Sequence, residues 1–86
     1  MAKREKTWSL KEIDEARGAA RGTAFMAFKQ LRDGFDEGRD YYSLNGDQDG
    51  AEIETLRRRG RLYANNVSAV LLTESGYSAV MEYLDD

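Results

Sequence analysis

The chain has 86 residues, 41% hydrophobic and 34% charged, with a formal net charge of -3. That is the content of one small globular domain, and no apolar run reaches the roughly 20 residues that span a bilayer. Cysteine and histidine are both absent, which excludes disulfides, thiol chemistry and the usual zinc sites and removes the commonest general base.

Residues 1–7, with Lys3, Arg4 and Lys6, read as a basic flexible arm ahead of a single domain over 8–84. Ser9-Leu10-Lys11-Glu12 fits a capping box with Ser9 at the N-cap and Glu12 three residues on, and Trp8 and Ile13 are spaced as a hydrophobic staple. A first helix follows, ended by Gly18. Thr23 reads as the N-cap of a second helix, whose apolar residues Phe25, Phe28, Leu31 and Phe35 predict the buried stripe. Met26, Lys29, Gln30 and Asp33 then point outward, and Gly34 or Glu37-Gly38 closes the helix.

Arg39 to Leu44 is aromatic and reads as a strand; Asn45 to Gly50 is a loop by composition. A calcium loop starting at Asn45 places Asp47 and Asp49 suitably, but Leu56 stands where a bidentate glutamate belongs. No metal or cofactor is expected. Ala51 to Arg59 is a short helix with Ile53 and Leu56 inward and Gly60 as its stop. Arg61 to Tyr63 and Val67 to Leu72 read as strands around Asn65-Asn66, so that Tyr63 to Leu71 forms a β-hairpin. Thr73 caps a last helix with Tyr77, Val80, Met81 and Leu84 as its stripe.

The small net charge conceals segregation: residues 1–32 carry +4, 33–56 carry -7, the arginines at 57, 58, 59 and 61 add +4, and 62–86 carry -4. Phosphate responds to a local basic face, since screening limits the reach of charge to about 8 Å at physiological salt. No serine or threonine has a histidine to activate it, and no GxxxxGK loop occurs, so no catalytic residue is expected and a non-enzymatic role fits best.

Two amphipathic helices joined by the short glycine-bearing connector Arg17 to Gly22 match the helix-turn-helix pattern. With the opening Trp8-Ser9-Leu10-Lys11-Glu12-Ile13 and the strands that follow, the chain resembles the winged-helix DNA-binding domains of the MerR and excisionase type. Val70-Leu71-Leu72-Thr73-Glu74-Ser75-Gly76-Tyr77 is similar to the "LLTExG" stretch of phage antirepressor and related prophage DNA-binding proteins. The MerR pattern is broken after Tyr41-Tyr42 by an acidic loop and an extra helix, and no effector-binding domain is expected. The resemblance implies an α+β, winged-helix-like fold and a small accessory or transcription-regulatory protein of phage or mobile-element origin.

The expected function is sequence-specific binding of double-stranded DNA in the cytoplasm. Thr23, Met26, Lys29 and Gln30 would enter the major groove, where Gln30 can address adenine and Lys29 guanine or a phosphate. Arg17 and Arg21 would hold phosphates with the free N–H groups of the second helix. Arg57, Arg58, Arg59 and Arg61 would grip the backbone from the wing. The alternative is an acidic protein–protein module, an inhibitor or adaptor that uses the 33–56 face, and a homodimer through the last helix is compatible with both.

Overall fold

In the computed structural model, residues 6–64 and 67–85 are described. The elements run β1 (Trp8–Ser9), α1 (Leu10–Ala16), α2 (Thr23–Leu31), a 3-10 turn (Arg32–Gly34), β2 (Tyr41–Leu44), α3 (Gly50–Arg58), β3 (Ala69–Leu72) and α4 (Glu74–Asp85). The fold is α+β; the described residues form four α-helices and one antiparallel sheet of order β1-β3-β2. Of the expected basic arm over 1–7, residues 1–5 lie outside the described residues, as does the Asn65-Asn66 turn.

β3 is the centre of the molecule. Its four residues are apolar throughout, as expected of a strand covered on both faces. Leu72, at its end, joins Ile13, Ala24, Ala27, Phe28 and Val80 in a cluster with α1, α2 and α4. Ala69 and Leu71 face the other way and pack with Leu44, Ile53, Leu56 and Leu62. The period-2 alternation of one short strand thus serves two cores. Trp8 joins the first, its ring stacked on Tyr77 with centroids 4.1 Å apart.

Local signals account for most helix ends. The Ser9–Glu12 capping box is formed in both directions, and α1 ends at Arg17 with Gly18 at φ 62°. Gly60 stops α3 at φ 75°. At α4, Thr73 accepts from the Gly76 amide and donates to the Arg39 carbonyl, while Ser75 donates to Asp40 at 2.6 Å. These bonds tie α4 to the turn before β2. The Asp40 carboxylate is held below its ordinary pKa chiefly by the Ser75 hydroxyl, helped by the Asp36 amide and by Arg39.

Four expectations are corrected. The buried face of α2 is Ala24, Ala27 and Phe28, whereas Phe25 is 47% exposed; the small alanines allow the close approach to the core, and Phe25 lies a third of a turn away. Thr23 is not the N-cap: Gly22 takes that position at φ 95°, and Thr23 donates its hydroxyl to Ala20. α2 ends at Leu31, where the chain tightens into the 3-10 turn that reaches Gly34. The hairpin over Tyr63 to Leu71 does not form, and residues 61–63 are not a strand. β1 and β2 occupy the two edges of β3, pairing Trp8 and Tyr41 with Leu72 from either side, which leaves no edge for a third partner.

Candidate nucleic-acid interface

The segment leaving α3 is directed by its side chains. Gly60 offers its carbonyl to Lys11 Nζ at 2.9 Å, and Leu62 is buried against α3. Arg61 reaches Glu12 at 2.9 Å and the Thr7 carbonyl at 2.9 Å. Tyr63 donates its hydroxyl to Asp14 at 2.6 Å. Residues 60–63 therefore run along α1 and end at the start of α2. Partial burial pushes the Glu12 carboxyl up, but Arg61 and the Ser9 backbone together hold it below its ordinary pKa.

Asp14 is the joint of this assembly. Only 2% exposed, it accepts from Gly22 N at 3.1 Å, Ala24 N at 2.8 Å and Tyr63. A carboxylate at a helix N-terminus meets both the unsatisfied amides and the positive end of the dipole. Burial and the bond to Asp14 push the Tyr63 phenol up to about 12. The α2 N-terminus expected to hold phosphate is thus already capped by the chain's own carboxylate.

Around this joint, cations alternate with aromatic rings. The Arg21 guanidinium lies 4.3 Å from the Tyr63 ring centroid and Lys11 Nζ 5.8 Å from the same ring. One turn along α2, Lys29 Nζ sits 5.6 Å from the Phe25 ring. Arg21, Phe25, Lys11 and Tyr63 also line one cleft of about 360 Å³ whose floor is apolar, including Leu10, Leu62 and Val70. The resulting ribbon Lys11–Tyr63–Arg21–Phe25–Lys29 brings three cations together, with Glu15 paired to Lys11 at 3.8 Å and the Asp14 carboxylate bonded to Tyr63.

The other expected site residues divide by location. Met26 is 57% exposed and Gln30 is exposed, both on α2 beside Lys29. Thr23 is half-buried. Arg17 pairs with Asp85 at 2.8 Å and with the Leu84 carbonyl, so it binds α1 to the end of α4 instead of facing a ligand. Arg57 and Arg58 share Glu54 at 3.5 and 3.4 Å. Arg59 is exposed and has no ion pair among the described residues. Lys11, Phe25, Tyr63 and Asp14 went unselected in the sequence; for Tyr63 the only local signal is an aromatic residue two places after a basic run.

The acidic segment is largely engaged in its own architecture. Asp40 is buried, Asp36 pairs with Arg39, Glu54 with two arginines, and Asp49 accepts from the Asn45 amide at 2.9 Å. Among the described residues no cluster of acidic side chains is placed to hold a metal ion, and no helix is long and apolar enough to cross a membrane. Compared with family models, curated proteins and solved structures, the chain matches none.

Proposed function

We propose that this chain is a non-catalytic, cytoplasmic double-stranded DNA-binding protein with an accessory or regulatory role, and that it docks through α2 and the segment before Tyr63. The observation that carries the reading is the cation–aromatic ribbon: it joins residues distant in sequence into one positive strip beside the exposed side of α2. Lys29, Gln30 and Met26 meet base edges in the major groove, as a recognition helix does. Lys11, Arg21 and Arg59 hold phosphates, while Arg17 and Arg61 maintain the fold that presents them. Rings beneath the cations limit the rotamer freedom lost on binding.

Anisotropy titration of a labelled duplex at about 50 and 200 mM salt tests this. Three cations on phosphate give an affinity loss of about 40-fold across that range; Arg21→Ala flattens the logarithmic slope by about one, and Lys29→Ala removes a base contact worth about 1–3 kcal/mol. Both variants binding as the parent does, with circular dichroism unchanged, would refute the docking.

A further inference from the structure

The corner between β2 and α3 is built on the pair Asn45-Gly46. Asn45 Oδ1 accepts from the Asp47 amide at 2.7 Å, which folds the asparagine side chain back over the Gly46 peptide as an Asx turn. The Asn45 carbonyl accepts from the amides of Gln48 at 3.2 Å and Asp49 at 2.7 Å, and its own amide donates to Asp49 Oδ2 at 2.9 Å. Glycine is required next to it, because a Cβ on residue 46 would lie 2.5 Å from the Val67 carbonyl oxygen. Both residues of the pair are exposed, and the Gly46 amide has no hydrogen-bond acceptor among the described residues. A nitrogen with no side chain crowding it therefore stands one residue on from a carboxamide turned toward it, in contact with water.

We propose that Asn45 is a site of self-modification, losing its side-chain amide to attack by the Gly46 nitrogen in the folded protein. The Gly46 N–H gives its proton to solvent and the nitrogen bonds to Asn45 Cγ. The Cγ–Nδ2 bond breaks, and Nδ2 leaves as ammonia after taking a proton from water. The product is a cyclic imide, which water opens at either of its two carbonyls. Opening at Cγ restores the chain with an aspartate; opening at the backbone carbonyl leaves an isoaspartate, whose main chain runs through Cβ and Cγ. Negative charge gathers on Oδ1 as the nitrogen adds, and the Asp47 N–H already aimed at that oxygen stabilises it. Either product puts a new carboxylate beside Asp47 and Asp49. Isoaspartate also takes the carbonyl that holds Gln48 and Asp49 out of the main chain, directly after Leu44 of the second core. The bonds that seat the start of α3 are then broken, and the fraction converted records the age of the protein.

The test incubates the folded protein at neutral and mildly alkaline pH, below its melting range, beside a sample unfolded in guanidinium chloride. Tryptic peptides 40–57 and 62–86 separate Asn45 from Asn65 and Asn66, which are followed in sequence by Asn66 and Val67 instead of glycine. Mass spectrometry reads the replacement of amide by carboxylate, and isoaspartyl methyltransferase labels the isomerised product. The folded sample should lose the amide from 40–57 alone, and faster at the higher pH, because the attacking nitrogen must shed its proton. Asn45→Ser, which keeps Gln48 and an oxygen for the Asp47 amide, should abolish both signals. The isoaspartate form, separated by ion exchange, should unfold at a lower urea midpoint than fresh protein. Three results overturn the site: an amide retained in the folded sample while the unfolded chain loses it, loss from 62–86 at an equal rate, or a signal that survives Asn45→Ser. An isoaspartate form as stable as fresh protein overturns the loss of bonds at the start of α3.

Discussion

Gly76→Ala is a sharp test of how α4 is seated. Gly76 is buried in the first turn of α4, and a Cβ there would lie well inside van der Waals contact of the Asp40 carbonyl oxygen, 3.1 Å from its carbon and 3.2 Å from Leu72 Cδ2. The obstacle is backbone, so a side-chain rotation cannot relieve it. Overpacking of this kind costs about 1–3 kcal/mol. Moving α4 away also weakens Thr73 N to Asp40 O at 3.0 Å, Thr73 Oγ1 to Arg39 O at 2.7 Å and Ser75 to Asp40 at 2.6 Å, each worth about 1 kcal/mol. The helix propensity of alanine returns at most about 1 kcal/mol. The net loss is about 2–4 kcal/mol, a large share of the roughly 4–13 kcal/mol that a domain of this size holds. Urea titration followed by circular dichroism reads it as a lower midpoint, and the melting temperature should fall by about 10 °C or more. Gly50→Ala at the start of α3 is the control, since nothing lies within 4 Å of its Cβ and its φ is unexceptional. If Gly76→Ala is as stable as the parent, the close approach of α4 to Asp40 is wrong.

Asp14→Ala strands Gly22 N, Ala24 N and the Tyr63 hydroxyl, and should cost about 3 kcal/mol or more by urea titration; a loss under about 1 kcal/mol would contradict its role as the cap of α2. Asp40 has a lowered pKa, so its stabilisation is present above about 3.8 and is lost as pH falls through the folded value. Asp40→Asn should therefore lower stability at neutral pH and shallow the acid limb of the melting-temperature profile; an unchanged acid limb would remove Asp40 from the account. Tyr63 is raised, so its contribution is complete below pH 10 and disappears as pH climbs to about 12. Tyr63→Phe should lose less stability across that window than the parent does, and ultraviolet titration should show one tyrosine fewer ionising late.

Legibility in the sequence followed the range of the interaction. Ser9 and Glu12 cap each other three residues apart, and the Gly18 and Gly60 stops are equally local, so α1 and the end of α3 could be read directly. Ile53 and Leu56 were legible for the same reason. α2 was misread because ring size outweighed spacing: Ala24, Ala27, Phe28 and Leu31 hold the i, i+3, i+4, i+7 positions, while the bulkier Phe25 drew the predicted stripe away. The hairpin failed on competition between strands, which no window of sequence contains. Lys29, Gln30 and Arg21 are exposed, as their positions in the sequence led one to expect, but Arg17 and Arg61 look no different in sequence from Arg21. Their partners, Asp85 and Glu12, both far along the chain, tie Arg17 and Arg61 into the fold, and no window of sequence around either arginine contains them.

The place of β3 has a consequence for how the protein is made. Both of its neighbours precede it in the chain, β1 by some sixty residues, so neither sheet pairing can begin until residues 69–72 have been synthesised. Until then α1 and α2 have only Asp14 and a few local contacts to hold them, and the apolar faces meant for Leu72 and Val80 stay open to solvent or to a chaperone. Pairings so distant pay their loop-closure entropy before they are rewarded. The assembly is therefore expected to close in one late, cooperative step, with β3 acting as the keystone set after the stones on either side.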